Sequence, residues 1–144
     1  MEQALQEALW RQIPLSRAMD LRVVEAGGRV RLGAPLAPNL NHQQTAFGGS
    51  LYCAAVLAGW SWLWVRRGRL DLGGALVVRA STARYLRPVS SAFTAVCPGP
   101  EAGDWERFLG RYSRRGRASL ELPVTIEESG LEALRFRGEF ALLR

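Results

Sequence analysis

Residues 47–65, FGGSLYCAAVLAGWSWLWV, carry no charged side chain and are apolar on every side of a helical wheel. A helix with no polar face must be surrounded on all sides. The uncharged window from Ala46 to Val65 is long enough on paper to cross a bilayer core of roughly 30 Å. Arg66 and Arg67 follow it as a cytoplasmic anchor would. Two features argue against a span. Gly48, Gly49, Gly59 and the serines Ser50 and Ser61 make the window weakly hydrophobic on an insertion scale. The rest of the chain also reads as amphipathic strands, whose apolar faces need covering. A central helix wrapped by a curved sheet satisfies both halves, so no membrane partner is expected.

Working outward, residues 2–12 (EQALQEALWRQ) place Ala4, Leu5, Ala8 and Leu9 at helical spacing, and Pro14 ends that run. LRVVEAGGRVRLGAPL reads as two strands around the Gly27–Gly28 pair, a hairpin signal. Residues 34–45 (APLAPNLNHQQT) read as a loop. Beyond the helix, residues 75–89 form a long strand candidate stopped at Pro88, and residues 92–99 another. PEAGDWERF (100–108) reads as a charged connection. LGRYSRRGRASLELPVTIEE (109–128) reads as strand, turn at Arg115–Gly116, strand. In the last stretch Leu134, Phe136, Gly138, Phe140 and Leu142 alternate with charged or small residues. The expectation is one α+β domain over residues 1–144, an antiparallel sheet around one long helix.

Composition bounds the function. The 144 residues are 48% hydrophobic and 22% charged, an ordinary globular balance. Two cysteines, Cys53 and Cys97, do not make a disulfide scaffold or a structural zinc site. The single histidine, His42, argues against a metal centre built from imidazoles. The net charge of +6 suggests nucleic acid, but all 19 basic residues are arginine. They are scattered, with tight clusters only at Arg66–Arg69 and Arg111–Arg117, and no aromatic-interleaved basic motif accompanies them. A rim that attracts a small anionic molecule explains the same charge. The N-terminal MEQALQEALW has acids where a signal peptide has bases, so the cytoplasm is the expected compartment.

The chemistry concentrates in Asn41–Ser50, NHQQTAFGGS. Glycines at the start of a buried helix let another group approach the backbone, and the first N–H groups there lack intrahelical partners. With the positive end of the helix dipole they can polarise a carbonyl oxygen and stabilise an oxyanion. A plain packing role for Gly48 and Gly49, with Thr45 or Ser50 as a helix cap, fits the same letters. His42 is the one side chain whose ordinary pKa suits a general base. Cys53, one turn into a buried helix, reads as a small hydrophobe rather than a nucleophile. Trp60, Trp62 and Trp64 are spaced around the helix, which suits core and interface packing better than an acyl tunnel.

NHQQTAFGGSLYCAAVLAGW (41–60) and RYLRPV (84–89) resemble the loop, central helix and following strand of the hot-dog superfamily. Within it they are most similar to the thioesterase family that also forms the C-terminal half of the bacterial YiiD protein. The resemblance implies a homodimer joined sheet edge to sheet edge, with tetramers left open, and an acyl-thioester site at the dimer interface. It implies Asn41 orienting water or substrate and Gly48 and Gly49 offering N–H groups to the thioester carbonyl. Thr45, Phe47 and Ser50 would flank the substrate, Phe47 standing where many relatives have histidine. Arg84, Arg87, Arg114, Arg115 and Arg117 are candidates for the phosphates of coenzyme A, which enters as part of the substrate and not as a separate cofactor. Two departures stand out. The central helix has no acid in Tyr52–Ala58, and Thr82, Ala83 and Arg84 stand where other members carry an aspartate. The expectation is therefore a hydrolase of acyl-coenzyme A or acyl-carrier-protein thioesters. A non-catalytic acyl-thioester binding module that lacks the base is the alternative.

Overall fold

The computed structural model describes residues 1–144. Its elements run α1 (Glu2–Gln12), α2 (Pro14–Ala18), β1 (Arg22–Ala26), β2 (Val30–Ala34), α3 (Gly48–Arg69), β3 (Ala75–Tyr85), β4 (Phe93–Cys97), α4 (Asp104–Arg115), β5 (Arg117–Glu128) and β6 (Leu131–Leu143). The six strands form one antiparallel sheet in the order β1-β2-β4-β5-β6-β3. α3 lies across its inner face. No helix is long and apolar enough to cross a membrane.

The apolar helix packs as its sequence demands. Leu51, Ala54, Ala55, Leu57, Ala58, Trp62, Leu63 and Val65 are buried against the sheet. Gly59 is required by contact rather than by φ: a Cβ there would stand 2.4 Å from Cζ of Phe140 on β6. The helix therefore rides close over the alternating Leu134, Phe136, Phe140 and Leu142 of β6, all buried. Tyr52, Cys53, Val56, Trp60 and Trp64 form a half-buried flank at i, i+4 spacing, with Trp60 stacked on Trp64. Trp62 points the other way, its indole N–H donating to the Gly28 carbonyl at 3.2 Å and its ring set edge-on to Trp105.

The two sheet edges are treated differently. On β1 the side chains of α1 complete the hydrogen bonding. Gln6 accepts from the Val23 N–H at 2.7 Å and donates to the Leu21 carbonyl, and Glu2 accepts from the Ala26 N–H. Leu5, Ala8 and Leu9 seal the contact beneath. β3 has no such cover. Its eleven residues are largely exposed, including Val77, Val78 and Tyr85.

The stretch 100–115 corrects the sequence expectation. Residues 104–115 form a helix, not a charged connection followed by a strand. Trp105, Phe108, Leu109 and Tyr112 recur at helical spacing, and Phe108 and Tyr112 are buried in a run of stacked rings. Asp104 and Glu106 sit in the first turn and Arg114 and Arg115 in the last, as the helix dipole favours. The turn at Arg115–Gly116 exists, but as a helix terminus with Gly116 at φ 71°, from which β5 leaves. Surface charge concealed a helical apolar stripe of four residues.

Candidate active site

The segment between β2 and α3 is a closed loop built around Asn41. Leu40 and Ala46 bridge its ends, and the Asn41 N–H donates to the Thr45 carbonyl at 2.8 Å. The Asn41 side-chain oxygen accepts from the N–H groups of Gln43 (2.8 Å) and Thr45 (3.1 Å), while its amide nitrogen donates to the Thr45 hydroxyl at 2.9 Å. Asparagine is suited to this because its side chain can stand in for a backbone turn. Its carbonyl is spent on the loop, and one amide hydrogen remains for anything outside it. The tip carries His42, Gln43 and Gln44, all exposed, with Gln44 at φ 63°. No hydrogen bond orients the His42 ring.

The chain then enters α3. The Phe47 N–H donates to the Asn39 carbonyl at 2.7 Å, and Asn39 itself is buried and anchored to the carbonyls of Met19 and Pro35. Phe47 is the extended residue before the helix (φ −59°, ψ 132°), and no side chain caps the terminus. Neither Thr45 nor Ser50 acts as a cap: Thr45 is bound to Asn41, and the Ser50 and Leu51 N–H groups turn back onto the Phe47 carbonyl at 2.9 and 3.2 Å. The N–H groups of Gly48 and Gly49 have no acceptor within the chain. They are two free donors at the positive end of a 22-residue helix.

The two glycines have different neighbours. A Cβ at Gly49 would fall 2.4 Å from the exposed Phe47 ring, and one at Gly48 would make ordinary contact with Tyr85 at 3.5 Å. The Tyr85 hydroxyl donates to the Gly48 carbonyl at 2.8 Å. One turn along α3 the Tyr52 hydroxyl meets the Ser81 hydroxyl, and its ring stands edge-on to Phe136. Partial burial, then the neighbouring Tyr52, push the Tyr85 phenol above its usual range, so it stays a donor at neutral pH. These tyrosines and Ser81 are the site residues that sequence reasoning missed. The signal available was Tyr52 four residues after Gly48, on the same helix face.

Beside Gly48 lies a depression of about 370 Å³ lined by Ala46, Leu51, Tyr85, Leu86, Arg87 and Val89. No carboxylate lines it. Arg87 contributes little free charge, because its guanidinium donates to buried Glu128 at 3.2 Å. Glu128 also accepts from the Ser91 hydroxyl and the Ser90 N–H, at 2.7 and 2.8 Å, tying the turn after β3 to the β5–β6 hairpin. The Ser91 hydroxyl, then the Ser90 N–H and Arg87, hold the Glu128 carboxyl below its ordinary pKa against the opposing cost of burial. Arg84 points to the other face of the sheet, where it borders a depression of about 480 Å³ with Arg135 and Arg137. The arginines of α4 and β5 are elsewhere: Arg115 and Arg117 line a separate groove near the start of β3, and Arg114 lies against Gly110 on α4. Cys53 is half-buried with its thiol pKa pushed up by burial, the reverse of an activated nucleophile.

A sheet wrapped around a central helix, with a glycine pair at the helix start, is the hot-dog architecture of thioesterase-like proteins. The family described as "Putative thioesterase (yiiD_Cterm)" matches residues 2–144, and the chain belongs to it. Among solved structures, a protein of unknown function from Chlorobaculum tepidum is 30% identical, with a TM-score of 0.92 over 99% of this chain and 94% of that one. A "putative thioesterase" from Shewanella oneidensis is 28% identical, with a TM-score of 0.84 over 99% and 97%. A Pseudomonas aeruginosa protein described as a probable thioesterase shares the fold at 20% identity, with a TM-score of 0.80 over 98% and 94%.

Proposed function

We propose that this protein hydrolyses an acyl thioester of coenzyme A or of an acyl carrier protein at the start of α3. The observation that carries the reading is the pair of N–H groups on Gly48 and Gly49, free of acceptors and next to an apolar depression. A thioester carbonyl oxygen placed on them gains negative charge as water adds to its carbon, and preorganised donors stabilise that charge. Collapse of the adduct expels the thiol sulfur, which takes up the proton that the water loses. Asn41 and Thr45, locked together, present the loop side of the site, and Asn41 keeps one amide hydrogen to hold the water. His42, at the loop tip, is the side chain assigned to proton acceptance.

Arg84, which has no carboxylate partner, is assigned to the phosphates of the coenzyme. The uncovered β3 edge supports a homodimer joined through that strand, with the depression at its seam. The alternative is an acyl-thioester binding module, and the specific observation in its favour is the lack of any carboxylate lining the depression.

Gly48→Pro is the decisive variant. Proline is accepted at the first helical position, where its missing N–H would be unpaired in any case. The extended Phe47 is the conformation that must precede it. The expected result is thiol release from acyl-coenzyme A substrates by the wild type, and roughly 10²-fold less by Gly48→Pro at unchanged melting temperature. Equal turnover in both would overturn the assignment of the helix start. Binding of a thioether analogue without any thiol release would select the binding module.

A further inference from the structure

The groove that holds Arg115 and Arg117 does not belong to the site above. It is a depression of about 370 Å³ on the outer face of the sheet, lined by Arg79, Arg111, Arg115, Arg117, Ser119, Glu139 and Leu143 with Ala118. Arg79 precedes Tyr85 by six residues on β3, roughly 20 Å at the usual rise of about 3.3 Å per residue. Four guanidinium groups share one carboxylate there, Glu139, which approaches only Arg79, at 3.8 Å. Arg111, Arg115 and Arg117 have no ion-pair partner, so three of the four guanidinium groups are uncompensated within the groove.

The backbone is arranged to deliver the fourth cation. Strict alternation along β3 would point residue 79 toward α3, on the face of Ser81, Ala83 and Tyr85. The register with β6 shifts between Val78 and Ala80, so Arg79 is an inserted residue opposite no partner. A bulge of this kind re-aims a side chain. The Arg79 guanidinium accordingly lies on the outer face, donating to the Ser119 hydroxyl at 3.2 Å beside Glu139. From α4, Arg111 reaches the Ser119 carbonyl at 3.4 Å and closes the opposite wall.

We infer that this groove binds the diphosphate group of a small phosphorylated molecule. Arginine forks match phosphate oxygens bidentately. A single phosphate brings about two negative charges at neutral pH, which leaves the groove positive; a diphosphate brings it closer to balance. The inference goes beyond the thioesterase reading and does not rest on it. Two sources share the chemistry, an inorganic diphosphate and a nucleoside diphosphate.

The test is calorimetric titration of the purified protein with inorganic pyrophosphate and, in a parallel arm, with ADP. No substrate turnover enters, so failure here is separable from failure of the active-site assignment. Saturable binding of either is expected, with tighter ADP binding identifying a nucleotide as the occupant and equal or tighter pyrophosphate identifying the free anion. Arg79→Ala and Arg115→Ala should each weaken binding at least tenfold, and Glu139→Gln should strengthen it. Arg11→Ala, the same loss of charge on α1, should leave it unchanged. Absence of saturable binding in both arms, or equal weakening by Arg11→Ala and Arg115→Ala, would overturn the proposal.

Discussion

The Tyr85 hydroxyl donates to the Gly48 carbonyl at 2.8 Å, and that carbonyl shares its peptide plane with the Gly49 N–H. A side chain on the edge strand thus sets the orientation of a donor at the helix start, from the opposite end of the same amide. Tyr85→Phe removes this brace while keeping the ring. Because Tyr85 is 52% exposed, unfolding free energy should change by less than about 1 kcal/mol. Turnover should fall several-fold in kcat with KM little altered, read from steady-state thiol release.

Gly49 and Gly59 present the same apparent clash with different consequences. In both, an added Cβ would stand 2.4 Å from an aromatic ring. The ring at Gly49 is Phe47, 56% exposed and free to swing aside, so Gly49→Ala should be near neutral, helped by the better helix propensity of alanine. The ring at Gly59 is Phe140, fully buried between helix and sheet, so Gly59→Ala should cost about 1–3 kcal/mol. Urea denaturation of the two variants side by side checks the contrast.

Glu128 makes stability depend on pH in a defined direction. Its carboxyl titrates below the ordinary value of 4.5 when folded, so its stabilisation is complete above that value. It is lost as the pH falls through the lower folded value. The Glu128→Gln variant should therefore be less stable than the wild type at pH 6, and the gap should narrow at pH 3.5. A gap that widens in acid would contradict the network with Arg87, Ser90 and Ser91.

The open β3 edge has a hydrodynamic consequence. Light scattering should report twice the chain mass of 15.9 kDa for the wild type. Val78→Lys, a charge on the exposed edge strand, should return the single-chain mass with the circular dichroism of the fold intact. A wild type that scatters as a single chain at micromolar concentration would count against a site at a dimer seam.

Leu57 tests the core helix itself. It is 4% exposed on α3, and Leu57→Asp should cost several kcal/mol by burying an unpaired charge, enough to abolish soluble expression. A soluble, cooperatively folded variant would mean that α3 is not the centre of the fold.

The sequence by itself determined the apolar helix read at 47–65, which runs Gly48–Arg69 in the fold, with its glycine entrance, the hairpin at Gly27–Gly28 and the alternating last strand. Each is encoded by a local period or by a residue with a local backbone role. It also contained α4, in the spacing of Trp105, Phe108, Leu109 and Tyr112, but the density of charge around those four residues disguised the period. What only the tertiary structure decided is which polar groups meet. Tyr85 reaches Gly48 across 37 residues, Arg87 reaches Glu128 across 41, and Arg79 turns to the outer face because of one inserted residue in the β3–β6 register. Arg87, Arg114, Arg115 and Arg117 looked alike as letters, and they divide into a structural tie to buried Glu128, a residue folded back on its own helix and two walls of a distant groove. Strand register and helix placement set those differences, and both are products of packing between segments far apart in the chain.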